Sequence, residues 1–292
     1  MSNGSTTSTS TAVIDGIVTR YEVAGAGPPL LMFSPGGFNA TMANWETHGL
    51  YQRTGMLAQL RKRFTCITFD KRESGGSGGR VQRVRWLDYA QQGIGLLDHL
   101  GYRRAHIMGA CAGCSIATVM ATTAPERVSA AVLYSPAGGV HYRIKQHQRF
   151  DAHLSYVAEH GLAGVTALVA STGSGFSADG RVGPWAEVLR SDPEFAARYR
   201  GCDTSRYQML TAGMRRLLFD RDTVPGAEPE DLLALDIPML IVPGQDSSHA
   251  PSAAHYLREC LPAAQYWDVP VAAQTAETAP ARVIEFLASL RC

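Results

Sequence analysis

The sequence predicts an α/β protein with a mostly parallel, doubly wound sheet and a helical cap inserted before its last two strands. Three observations carry this. Short apolar runs without alternation (Leu30–Phe33, Phe64–Phe69, Ala105–Ala110, Val128–Tyr134 and Ile237–Val242) suit strands buried on both faces. Helical patterns separate the first four, the β-α-β alternation that parallel pairing needs. From about His141 to Asp236 the alternation stops, and a largely helical stretch is broken by Gly and Pro at Ser171–Gly183 and Pro225–Pro229.

Size and composition agree. A chain of 292 residues, 45% hydrophobic and 18% charged, can bury the core of one α/β domain with an insertion. The expected division is a disordered tail over Met1–Thr11, a core over 12–140 and 237–292, and a cap over 141–236 covering the C-terminal edge of the sheet. A net charge of +1, from 27 basic and 26 acidic residues, gives no pull toward nucleic acid or an anionic membrane. No apolar run approaches spanning length, and the Ser/Thr-rich start lacks a basic end and an apolar centre, so a cytoplasmic location is expected. Six cysteines are scattered without zinc-site spacing. The partner expected is a small-molecule substrate, with no metal and no cofactor.

Taken in order, Thr11–Asp15 and Ile17–Val23 read as a hairpin turning at Gly16. Leu30–Phe33 ends in Ser34-Pro-Gly-Gly37, whose glycines leave backbone N–H groups open to a ligand. A helical stretch, Gly55–Phe64, leads to the strand Phe64–Phe69, which ends in Asp70-Lys-Arg-Glu-Ser-Gly-Gly-Ser77. An amphipathic helix over Trp86–Leu100 stops at Gly101. Beyond the insertion come Ile237–Val242, a helix at Ser252–Cys260, a strand at Gln265–Val269 and a helix at Pro280–Leu290. His153 and His160, seven residues apart on one helix face, are too distant to share a metal ion and read as packing or surface histidines.

The stretch Ala105–Ala121 organises the chain. It reads as an apolar strand, a turn of small residues and a helix, with Gly109, Cys111 and Gly113 spaced as G-x-C-x-G. A strand that reverses into a helix within one residue strains the central position and crowds its neighbours two away, which must then lack side chains. The thiol at that point faces a helix N-terminus, where the dipole and free N–H groups favour a thiolate. A dinucleotide loop would need G-x-G-x-x-G spacing, which is absent. Cys111 and Cys114 also have the C-x-x-C spacing of a redox pair, but the flanking glycines suit the elbow better.

Together Ser34–Gly37, Asp70–Ser77 and Gly109–Gly113 resemble, in order, the oxyanion loop, the D-x-R-G-x-G-x-S turn and the nucleophile elbow of the α/β-hydrolase superfamily, with Glu73 replacing a glycine. The resemblance runs from about residue 12 to 290. It implies Cys111 as nucleophile, and an oxyanion hole from the N–H groups of Ala112 and Gly37 beside Gly36. Dienelactone hydrolases of that superfamily use a cysteine at the elbow. Two departures break the usual triad. The acid expected in G-x-x-D falls one residue early, at Asp246, and no histidine follows the last strand, where Ala273 or Gln274 stands. His249, three residues after Asp246, is the replacement base, oriented by Asp246; His48 and His141 are weaker candidates. Met42 and Trp45 are expected to contact substrate, while Trp185, Phe176, Tyr207 and Met209 of the cap suit either pocket or core. The expected activity is a cysteine-dependent hydrolase of an ester, lactone, thioester or activated C–C bond through a thioester intermediate. A non-hydrolytic use of the pocket (acyl transfer, decarboxylation or lysis) and a ligand-binding pseudoenzyme are the alternatives.

Overall fold

The computed structural model describes residues 9–290. The hairpin consists of β1 (Thr9–Ile14) and β2 (Ile17–Ala24), joined at Asp15 and Gly16. Both joining residues take positive φ, 48° and 68°, as a tight two-residue connection requires. Thr9–Thr11, expected in the tail, instead pair with Glu22, Tyr21 and Arg20. A strand of serine and threonine on a sheet edge has no apolar alternation for a sequence reading to detect. The rest of the expected tail, Met1–Ser8, lies outside the described residues, as does Cys292.

The chain continues through β3 (Pro29–Phe33), three short helices, α1 (Asn44–Thr47), α2 (Gly49–Thr54) and α3 (Met56–Leu60), and β4 (Thr65–Phe69). Then follow α4 (Trp86–His99), β5 (Ala105–Ala110), α5 (Gly113–Thr123) and β6 (Val128–Tyr134). The insertion is helical throughout: α6 (Val140–Ser171), α7 (Ala186–Ser191), α8 (Pro193–Arg200), α9 (Thr204–Leu218) and α10 (Pro229–Leu233). The sheet resumes with β7 (Met239–Val242), α11 (Pro251–Cys260), β8 (Gln265–Tyr266) and α12 (Thr278–Ala288). The last strand is shorter than the expected Gln265–Val269: Trp267 still donates to the Ile241 carbonyl at 3.0 Å, but the Val269 N–H turns back to the Trp267 carbonyl at 2.9 Å.

Eight strands form one sheet in the order β1-β2-β4-β3-β5-β6-β7-β8, parallel from β4 to β8. Every residue of β5, β6 and β7 is buried, which explains their unbroken apolar runs. Each large aliphatic side chain so buried contributes about 1.5–3 kcal/mol. Two cores result. One lies between the sheet and α4, α5 and the insertion; the other, with Trp45, Met56 and Phe286, lies under α1–α3 and α12.

Register decides what meets at the sheet's C-terminal edge. Phe33 pairs with Gly109, Ala110 with Tyr134, and Tyr134 with Val242. The segments leaving β3, β5, β6 and β7 therefore emerge side by side: Ser34–Gly37, Cys111, Ser135 and Gln245–His249.

In the insertion, α6 breaks at Gly161 (φ 65°, ψ −179°). His153 is fully buried; its Nδ1 donates to the Arg181 carbonyl at 2.9 Å, and its Nε2 accepts from the Tyr207 hydroxyl at 2.6 Å. Burial pushes its pKa down to about 4. It is a packing histidine, and Trp185, Phe176 and Tyr207 around it are core, whereas Met209 is exposed.

Candidate active site

Cys111 joins β5 to α5 with φ 57°, a left-handed conformation that costs a non-glycine residue about 1–3 kcal/mol. The glycines explain themselves by distance. A Cβ on Gly109 would lie 2.4 Å from the Gly113 carbonyl oxygen, and one on Gly113 would lie 2.4 Å from the Phe33 carbonyl oxygen. Ser135, at the end of the adjacent β6, is also left-handed, at φ 51°.

The loop after β7 supplies the next groups. Asp246 accepts from His249 Nδ1 at 2.8 Å (Oδ2) and 2.9 Å (Oδ1), and from the backbone N–H groups of Ser248 (2.7 Å) and His249 (3.0 Å). One carboxylate thus folds the loop and fixes the imidazole with Nδ1 protonated. Nε2 is buried, has no partner in a well-aligned hydrogen bond, and belongs to the ring that lines the cleft with Cys111. Gly244 lets the loop approach, since a Cβ there would meet His249 Cβ at 2.5 Å.

The electrostatics are mutual. Burial alone would lower the His249 pKa, but the Cys111 sulfur and then Asp246 outweigh it and push it up to about 9. Burial alone would raise the Cys111 thiol; His249, with the backbone N–H groups of Ala112 and Gly36, outweighs that and holds it below the ordinary thiol range. Both shifts run in the direction of a thiolate paired with an imidazolium. Burial has little to oppose it at Cys114, whose sulfur donates to the Gly109 carbonyl at 3.2 Å and whose pKa is well raised. Both thiols are free, and the inner one is an inert core residue.

Gly36 (φ 120°) and Gly37 (φ 60°) carry the loop after β3 past the sulfur. Asn44 holds that loop: its Nδ2 donates to the carbonyls of Pro35 and Asn39, both at 2.7 Å, and its Oδ1 accepts from Thr41 Oγ1 at 2.9 Å. Asn44→Ala is expected to lower kcat by about 10–100-fold, as loss of a supporting hydrogen bond does elsewhere, with KM little changed. Steady-state kinetics on the folded variant check it; unchanged kcat would show that the loop holds itself.

An open cleft of about 350 Å³ lies above Cys111, bordered by Gly36, His48, Arg149 and His249. A much narrower apolar slot, of about 30 Å³, adjoins it at Gly37 and lies between Ala112, Phe38, Trp86, Ile116 and Phe219. The insertion contributes to both, through Tyr142 and Gln146 of α6 and Leu218 at the end of α9.

Of the residues singled out from sequence, Cys111, His249, Asp246, Gly36, Gly37 and Ala112 converge here. Trp45 does not: it is fully buried in the core beneath the sheet, edge-on to Tyr51 at 5.4 Å. Met42 is buried too, and its N–H donates to Asp70. Both sit on a segment that turns under the oxyanion loop rather than into the cleft. His48 borders the cleft at its exposed rim, and His141 is exposed beside the Asp246 loop. Gln274 is fully buried away from the cleft, accepting from the Tyr134 hydroxyl at 2.9 Å and donating to the Pro243 carbonyl at 2.9 Å. Its amide bridges two strand ends. Asn44, Tyr51, Ser135 and Lys71 reach the site without any local pattern that marks them, because register and side-chain direction bring them there. Among the described residues no group of three or more His, Cys, Asp or Glu is placed to hold a metal, and no helix is long and apolar enough to cross a membrane.

Comparison with known proteins gives the same architecture. The family described as alpha/beta hydrolase fold matches residues 29–163. A 2-hydroxymuconate semialdehyde hydrolase of a Pseudomonas species is 33% identical over 128 residues, 42% of this chain and 41% of that protein. The dihydrolipoyllysine-residue acetyltransferase component of the acetoin cleaving system of Cupriavidus necator is 30% identical over 127 residues, 44% of this chain and 32% of that protein. The chain thus spans about a third to two fifths of the curated relatives it matches. Among solved structures, the enol-lactonase of Burkholderia xenovorans superposes with a TM-score of 0.63 at 17% identity, covering 96% of this chain and 100% of that one. A meta-cleavage product hydrolase of Pseudomonas fluorescens gives 0.60 at 20% identity, covering 96% and 97%. Shape agrees along almost the whole chain where sequence agrees over less than half, and on both grounds this is a protein of the α/β-hydrolase fold.

Proposed function

We propose that the protein is a hydrolase that cleaves a small carbonyl substrate, such as an ester, lactone, thioester or activated C–C bond, with Cys111 as its nucleophile. The observation that carries this reading is the pairing of a thiol held in a strained elbow with an imidazole that is itself fixed by a carboxylate. The names of the relatives, a semialdehyde hydrolase and an enol-lactonase, point to the same class.

In this mechanism the Cys111 thiolate attacks the carbonyl carbon. The oxygen takes up the developing charge facing the N–H groups of Gly37 and Ala112, in a site where such donors are worth about 2.7–4 kcal/mol each. The His249 imidazolium gives its proton to the leaving group as the bond to it breaks, leaving a thioester on Cys111. Water then gives a proton to neutral His249 Nε2 and adds to the thioester; collapse expels the thiolate and regenerates the ion pair. The thiol is held below its ordinary range and needs less help to ionise than a hydroxyl, so the base is needed chiefly for the second step. The helical insertion acts as a cap over the cleft, and the chemistry needs neither metal nor cofactor.

A brief, substoichiometric iodoacetamide pulse with peptide mapping tests the nucleophile. Cys111 is expected to label before Cys202, with a rate that persists below the pH range of ordinary thiols. His249→Ala is expected to shift that inflection upward, because burial is then less opposed. Preferential labelling of Cys202 would overturn the reading. The acetyltransferase relative, together with the absence of the usual histidine after the last strand, favours acyl transfer as the second reading. Turnover in oxygen-18 water separates them: hydrolysis puts solvent oxygen into the acid product.

A further inference from the structure

We propose that Lys71 recognises a carboxylate on the acyl half of the substrate within the apolar slot, an inference that rests on Cys111 reacting in the cleft that adjoins it.

Lys71 leaves β4 next to β3, so it emerges under the oxyanion loop, where its N–H donates to the Ala40 carbonyl at 2.9 Å. Its side chain is only 6% exposed and lines the slot. The ammonium stands 3.9 Å from the centre of the Tyr89 ring and 5.6 Å from that of Phe38. Among the described residues no carboxylate pairs with it. Glu73 is held by Arg72 Nε at 2.9 and 3.2 Å. Asp70 is held by the N–H groups of Met42 (2.9 Å) and Gly76 (2.8 Å) and by Arg20 (3.3 Å).

An unpaired ammonium out of water costs several kcal/mol, and contact with aromatic faces recovers about 2 kcal/mol at best. Burial accordingly pulls its pKa down to about 8, which still leaves it mostly charged at neutral pH. Two further buried polar atoms share the slot without partners: Ser34 Oγ and Gln146 Oε1, each on a side chain 6% exposed. The remaining wall is carbon, from Trp86, Ile116, Leu218 and Phe219. A ligand that satisfies this surface places one compact anion in the slot and its apolar or aromatic body toward the adjoining cleft, with which the slot shares Gly37, Tyr142 and Gln146. A carboxylate pairs with the ammonium and accepts from the Ser34 hydroxyl, while the Gln146 amide can turn its NH₂ toward the second oxygen.

Isothermal titration with benzoate and with benzamide, its neutral counterpart, tests the site without requiring turnover. Benzoate is expected to bind the wild-type protein about tenfold or more tightly than benzamide, and Lys71→Met is expected to remove that advantage while leaving benzamide affinity unchanged. Equal binding of the two ligands, or a preference that survives Lys71→Met, overturns the proposal. Should Lys71→Met fail to fold, a pH series in Cys111→Ala decides. That variant removes the thiol, His249 lines the adjoining cleft and not the slot, Tyr89 and Tyr142 are raised above the range by burial, and Arg72 and Glu73 stay paired. Benzoate affinity is expected to fall several-fold between about pH 7 and pH 9 as the ammonium deprotonates; a flat series overturns the assignment. The two readings fail separately. An unlabelled Cys111 sinks the hydrolase reading and leaves benzoate selectivity intact, whereas a reactive Cys111 without that selectivity sinks the carboxylate site alone.

Discussion

Cys111→Ala is expected to lower kcat/KM by about 10⁴-fold or more while the protein stays folded, since removing the nucleophile of a covalent mechanism costs as much as removing its whole catalytic unit. The structural cost is small. The sulfur makes no hydrogen bond that the fold depends on, and alanine meets the same left-handed strain as cysteine at φ 57°. What disappears is the thiolate and with it the partner of His249. Burial then acts on the imidazole with only Asp246 opposing, so its pKa falls from about 9. Cys111→Ser is expected to be nearly as inactive. A hydroxyl has a far higher pKa than a thiol and does not ionise beside this imidazole. Turnover near the wild-type level in Cys111→Ala, with folding verified by circular dichroism, would remove the covalent mechanism and leave the ligand-binding reading in front.

Gly113→Ala is expected to destabilise the protein by about 4 kcal/mol or more, at the exceptional end of single substitutions. The added Cβ would lie 2.4 Å from the Phe33 carbonyl oxygen and 3.0 Å from the Phe33 carbonyl carbon and Cβ. Phe33 cannot retreat. It is 1% exposed, ends a central strand paired on both sides, and stands edge-on to Phe69 at 5.7 Å. The junction has little slack on its other side either, since a Cβ on Gly109 would lie 2.4 Å from the Gly113 carbonyl oxygen. Gly101→Ala is the control: φ is 76° there but nothing lies within 4 Å, so only the backbone strain of about 1–2 kcal/mol is expected. Denaturant melts of both variants measure the difference. A Gly113→Ala protein within about 1 kcal/mol of wild type would show that the junction is looser than its distances imply.

The fold class is legible in the sequence, because two-sided burial of parallel strands writes unbroken apolar runs and crossover helices write amphipathic ones. The elbow is legible too, since a backbone that would bring a Cβ on Gly109 or Gly113 within 2.4 Å of a carbonyl oxygen leaves only glycine for each. The Asp246–His249 pair was legible because both groups sit on one short loop. The edge strand over Thr9–Thr11 was not legible, for it is held by ladder bonds and not by apolar burial. Trp45 lies in the core and not in the cleft, and its hydrophobicity announces burial without saying whether the cover is core or ligand. Tertiary structure alone decided which face of the sheet each loop served. The pairing of Phe33 with Gly109 brought the Gly36 and Gly37 amides to the thiol, and the pairing of β3 with β4 set Lys71 under them. Those neighbours are tens of residues apart in the chain, and no local pattern encodes a distance that register sets.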